Sequence, residues 1–146
     1  MRLNYLLQHR SFKDVLNRGV DPVKAKEIIE NGNAEIFANL FMTVVEYWGK
    51  QYPEEASKIK YEASIIDLGT TKAVRCRFVG ELELDPAECS SIIIAVTDKI
   101  YYFTVEKTLF GGYMLCRWDG EAHINYGSVE ADDPAFYTDK LSNIIG

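Results

Sequence analysis

The stretch Tyr113-Met114-Leu115-Cys116-Arg117-Trp118, then Asp119-Gly120, then Glu121-Ala122-His123-Ile124-Asn125-Tyr126, decides the fold of this chain. Apolar and polar residues alternate on both sides of Asp-Gly. A two-residue type I′ turn needs positive φ at both central positions, a conformation that Asp and Gly tolerate. The pattern predicts a β-hairpin with Trp118 opposite Glu121, Arg117 opposite Ala122, Cys116 opposite His123, Leu115 opposite Ile124 and Met114 opposite Asn125.

Working outward, the period-two pattern extends back to about residue 60. It predicts strands over 60–68, 73–79, 91–96, 100–107, 112–118 and 121–126, with 81–84 as a continuation. Their connections, such as Gly69-Thr70-Thr71, Thr97-Asp98-Lys99 and Thr108-Leu109-Phe110-Gly111, are too short for parallel crossovers, so the strands form an antiparallel meander. If Asp98-Lys99 is a two-residue loop, Val96 opposes Tyr101 and Ile94 opposes Phe103. A five-residue loop over 108–112 sets Lys107 opposite Tyr113, Thr104 opposite Cys116 and Tyr102 opposite Trp118.

These registers sort the side chains. One face collects Ile92, Ile94, Val96, Tyr101, Phe103, Val105, Tyr113, Leu115, Ala122, Ile124 and Tyr126, a core face. The other collects Ile93, Ala95, Tyr102, Thr104, Glu106, Met114, Cys116, Trp118, Glu121, His123 and Asn125, a mixed face of aromatic, polar and charged groups. A slip of one residue in any strand would exchange its faces.

Helices come first in the chain. Ser11 can cap a short one ending at Gly19, and Asp21-Pro22 is a cap followed by proline at the first helical position, with Asn31-Gly32 as the stop. The strongest helix is predicted over 33–49, where Ile36, Phe37, Leu40, Phe41, Val44, Val45 and Trp48 form an apolar stripe and the expected cover for the core face. Pro53 can start one more turn, and Asp133-Pro134 opens a closing helix. The expected fold is one α+β domain over residues 1–146: a helical part at 1–58, N-terminal helices packed on a mostly antiparallel five- to six-stranded meander sheet at 59–127, and a short C-terminal helix at 133–145.

Composition narrows the class. At 146 residues the chain can bury a core without staples, and 47% hydrophobic with 26% charged residues is ordinary for a globular domain. No apolar run approaches the length of a membrane helix, and the start lacks a signal-peptide core, although Met1–Arg10 has some amphipathic, transit-peptide character. Three widely spaced cysteines, Cys76, Cys89 and Cys116, imply no disulfide framework and fit a reducing cytoplasm. The net charge is −6, yet residues 1–26 carry +4, with six Lys or Arg against two Asp. A net acidic chain without a long basic block argues against nucleic acid as the main partner; the basic start could meet an acidic partner, but reads better as the solvated face of helices lying against an acidic body.

Chemistry-bearing patterns are few. Cys116 opposite His123, with Thr104 alongside, would let a base meet a thiol, the arrangement that activates a cysteine nucleophile. The plainer account is a half-buried thiol and a satisfied histidine on one face. Tyr102 opposite Trp118, beside Met114, makes an aromatic platform suited to a partner or to packing. Glu81, Glu83 and Asp85 alternate along one side, better read as a charged edge than as a calcium site. Glu130, Asp132 and Asp133 suit the positive end of the last helix. His9 is the only other histidine, and no zinc spacing, phosphate loop, dinucleotide fingerprint or serine elbow occurs. No metal or cofactor is expected.

The reading that follows is a small, non-catalytic binding protein of adaptor, inhibitor or immunity type. It would use Tyr102, Thr104, Met114, Cys116, Trp118, His123 and Asn125, or the acidic edge, to meet another protein or a second copy of itself. The alternative is a small-molecule site. The element order is similar to that of cone-shaped NTF2-like domains, an analogy of architecture without a shared motif. There His123 would be the acid–base residue, oriented by Glu121 or Asn125, with Cys116 nearby.

Overall fold

Asp21 caps the first helix of the described residues as its sequence requires: Lys24 N–H donates to its Oδ1 at 2.8 Å, and Pro22 occupies the first helical position of α1 (Pro22–Glu30). The helix ends in a Schellman motif. Gly32, at φ +78°, donates to Ile29 O and Asn33 to Ile28 O, satisfying carbonyls that the last turn leaves open. The computed structural model describes residues 21–37, 39, 50, 53–58, 60–79, 89–119 and 122–146. Residues 34–37 are helical, in agreement with a helix starting after Asn33. The remainder of that expected helix, the Ser11 helix, and the 81–84 strand lie mostly or wholly outside the described residues. A short helix α2 (Pro53–Ala56) precedes the sheet.

Six strands follow, β1 (Tyr61–Asp67), β2 (Lys72–Phe78), β3 (Cys89–Val96), β4 (Ile100–Lys107), β5 (Tyr113–Asp119) and β6 (Ala122–Val129). They pair in sequence order, antiparallel throughout, as one meander. The closing segment is a 3-10 turn (Pro134–Phe136) and then α3 (Thr138–Ile145), interrupted at Tyr137. The architecture is α+β.

Register is where sequence and structure part. Lys107 pairs with Tyr113, Thr104 with Cys116 and Tyr102 with Trp118, as the five-residue loop required. The preceding loop has three residues, not two. Val96 pairs with Ile100, Ile94 with Tyr102 and Ile93 with Phe103, and Thr97 N–H closes on Lys99 O at 3.0 Å. That single-residue slip turns β3 over, so Ile93 and Ala95 join Phe103 while Ile92, Ile94 and Val96 join Tyr102 and Thr104.

The last hairpin is also displaced. Asp119 belongs to β5 and pairs with Ala122, so Trp118 opposes His123 and Cys116 opposes Asn125, rather than Glu121 and His123. A shift of two residues preserves the faces but changes every partner. Between Asn125 and Ser128 the register breaks at a β-bulge; Gly127 there sits at φ +103°, and its N–H donates to Asn125 Oδ1 at 2.7 Å.

Both faces of the sheet are therefore buried. The first holds Ile66, Ala73, Ile93, Ala95, Phe103, Val105, Leu115 and Val129, packed under Tyr137 and Leu141, with Tyr101, Tyr113, Tyr126, Ile144 and Ile145 at its margin. Its cover among the described residues is the C-terminal segment, whereas the sequence suggested the 33–49 helix. The second holds buried Val74, Cys76, Ile92, Ile94, Val96, Tyr102, Thr104 and Cys116. Helix α1 packs on β2 and β3, and Glu35 lies close enough to act on the Cys76 thiol, which puts the N-terminal helical segment on this second face.

Candidate functional site

The second face carries a buried carboxylate among mostly apolar neighbours. Glu106, near the end of β4, is 2% exposed. A charge buried this far needs compensation, and the structure supplies hydrogen-bond donors. Thr104, two residues back on the same strand and so on the same face, donates its hydroxyl to Glu106 Oε2 at 2.6 Å. His123 Nε2 lies 2.9 Å from the same oxygen, reaching from β6 across β5. Cys116, on the strand in between, completes the group: ligand atoms of Glu106, Cys116 and His123 all lie within 4.8 Å of one another.

The cluster has a dry side and a wet side. Thr104 and Cys116 are fully buried, whereas the His123 side chain keeps 34% of its surface in solvent. Burial first, then the charge and hydrogen bond of Glu106, pushes the Cys116 thiol well above its ordinary value. That is opposite to the shift a cysteine nucleophile needs. Left to itself the cluster holds a neutral thiol beside a hydrogen-bonded carboxylate, with the imidazole oriented by Glu106.

The sequence-derived site residues fall into three groups. Thr104, Cys116 and His123 come together around Glu106. Tyr102 is on the same face but 3% exposed, within the core. Met114 and Asn125 flank the cluster, with Asn125 Nδ2 donating to Met114 Sδ at 3.2 Å and its oxygen taking the bulge N–H of Gly127, so Asn125 serves the strand rather than the imidazole. Trp118 takes its ladder position between Tyr102 and His123; Glu121 lies outside the described residues. The structure adds Glu106. The signal for it was legible: a carboxylate two residues from Thr104 in a strand of otherwise core-type residues, Tyr102 to Val105.

A second buried polar group lies on the first face. Arg75 Nη2 donates to Asp132 O at 2.8 Å and Oδ1 at 3.2 Å, Ser91 Oγ donates to Asp132 Oδ2 at 2.6 Å, and Tyr137 OH to Oδ1 at 3.3 Å. Asp132 thus ties the C-terminal segment to β2 and β3, and capping falls to Asp133, which accepts from Ala135 N–H. An open pocket of about 390 Å³, lined in part by Pro22, Glu30, Thr97 and Asp98, touches neither group.

At the surface one feature breaks the pattern of the fold. The turn joining β4 to β5 carries Leu109 and Phe110, 80% and 97% exposed. The loop under them is closed, with Thr108 N–H on Gly112 O at 2.8 Å and Gly111 N–H on Thr108 O at 3.3 Å. Turn tips usually carry Gly, Asn, Asp, Pro or Ser, and two large apolar residues there do nothing for this chain's own core.

Comparison with known proteins finds no matching family model, no matching curated protein and no matching solved structure. Among the described residues no helix is long and apolar enough to cross a membrane.

Proposed function

We propose that this chain is a small non-catalytic binding protein that engages a protein partner through the β4–β5 hairpin tip. The observation that carries the reading is the Leu109–Phe110 pair, held almost fully in water on a hydrogen-bonded turn. A few well-placed large side chains supply most of an interface's energy. Because the turn is already closed, little ordering entropy is lost on docking. Burying two such side chains contributes about 1.5–3 kcal/mol each.

The binding surface shifts away from the sheet face that the sequence suggested, because Tyr102, Thr104 and Cys116 are within the core. The partner is a protein with an apolar pocket sized for Phe and Leu. The free, buried thiols Cys76 and Cys116 support a reducing cytoplasmic setting.

The test compares wild type with Leu109→Ser/Phe110→Ser as immobilised baits, identifies proteins retained only by wild type, and measures each with purified components. The expected result is a partner whose affinity falls tenfold or more in the variant, with an unchanged unfolding midpoint. Equal affinity for both baits would overturn the reading, and concentration-dependent dimerisation lost in the variant would identify the partner as a second copy.

A further inference from the structure

We propose that Glu106, Cys116 and His123 form a binding site for a zinc ion, independent of the hairpin tip. Three ligand types, a carboxylate oxygen, a thiol sulfur and an imidazole nitrogen, lie within 4.8 Å of one another on three adjacent strands. Zinc binds each of these at roughly 2.0–2.3 Å in tetrahedral geometry, which spaces ligand atoms roughly 3.3–3.6 Å apart. The cluster is compatible with that spacing: Glu106 to His123 is 2.9 Å, and no pair of ligand atoms is more than 4.8 Å apart.

Charge balance favours the ion. A dication with a thiolate, a carboxylate and a neutral imidazole sums to zero, and a neutral assembly is what a buried site tolerates. Without the ion, protons do the same work less completely: a thiol, a hydroxyl and an imidazole all converge on one carboxylate. Thr104 then has the role that outer hydrogen bonds play at metal sites, fixing the orientation of the ligating carboxylate. His123 stands on the wet rim and provides the way in, and it leaves the fourth position to water.

Binding breaks the S–H bond of Cys116 and forms a Zn–S bond, and the proton goes to solvent. No electron is transferred. Uptake at neutral pH should therefore release about one proton per ion, and affinity should fall with falling pH.

The experiment is titration of the reduced, chelator-stripped full chain with cobalt(II) as the spectroscopic probe, followed by zinc(II). The expected result is a near-ultraviolet thiolate-to-cobalt charge-transfer band with strong visible bands of a four-coordinate ion, saturating at one equivalent and bleached by zinc. Cys116→Ser should abolish the charge-transfer band, Cys76→Ala, on β2 and two strands away from Glu106, should leave it, and His123→Gln, on the part-exposed rim, should weaken binding about tenfold or more. Absence of the band in wild type, or its persistence in Cys116→Ser, would overturn the proposal. None of these outcomes depends on Leu109 or Phe110.

Discussion

Glu106 and His123 are separated by a whole strand, yet their side chains meet at 2.9 Å over Cys116. The bridge couples β4 to β6, which are not ladder neighbours. A hydrogen bond to a buried charge contributes about 1.5–3 kcal/mol. His123→Ala should lower stability by about that much, and Glu106→Gln by about 1–3 kcal/mol through its mismatch with Thr104. The double variant should cost less than the sum, because both changes break the same contact. Urea unfolding of the four proteins measures the coupling, and strict additivity would show that the bridge is not formed.

Asp132 holds a guanidinium that is nearly out of water; the two side chains are 12% and 10% exposed. Asp132→Ala would leave Arg75 buried without its charge partner and should destabilise by about 3–5 kcal/mol. Asp132→Asn, which keeps the shape, should cost less. Hydrogen exchange should show the loss first in α3, since Asp132 is the tie between that segment and the sheet.

Burial, then the charge of Glu35, pushes the Cys76 thiol up, and Cys116 is raised too. At neutral pH both thiols are protonated in the folded and unfolded chain, and this term is silent. Above about pH 8.5 the unfolded thiols ionise while the folded ones do not, so stability should fall by up to about 1.4 kcal/mol per pH unit for each thiol. Above about pH 10 the buried Tyr137 phenol, raised by burial and then by Asp132, adds to the slope. Denaturant midpoints between pH 7 and 10 report it, and Cys76→Ala should flatten the slope even though its core cavity lowers stability at every pH.

Gly127 tests the bulge. A Cβ there meets nothing within 4 Å, so Gly127→Ala is penalised by its backbone at φ +103° alone, about 1–3 kcal/mol. Gly112→Ala, with Thr108 Oγ1 at an ordinary 3.5 Å, should be nearly neutral. Equal thermal shifts for the two would mean that the bulge relaxes.

Local signals in the sequence determined what lies within one turn or one strand. Asp21-Pro22 and Asn31-Gly32 bounded α1, short connections dictated an antiparallel meander, and the 108–112 loop placed Thr104 opposite Cys116. Tertiary structure decided what depends on one residue of register or on partners distant in the chain. Thr97-Asp98-Lys99 permits a loop of two or three residues, and only packing chooses. Because β3 reads Ile92-Ile93-Ile94-Ala95-Val96, either of its faces can be buried, so its pattern could not say which way it turned. Asp132 looks like a capping residue until Arg75, 57 positions earlier, is seen beside it. Glu106 and His123 meet across β5, which lies between their strands, and the two-residue shift at Asp119 moves His123 from Cys116 to Trp118 in the ladder, leaving its ring to reach diagonally to the carboxylate. Period and turn chemistry act over a few residues; a buried charge finds its donors only after the strands have been laid side by side.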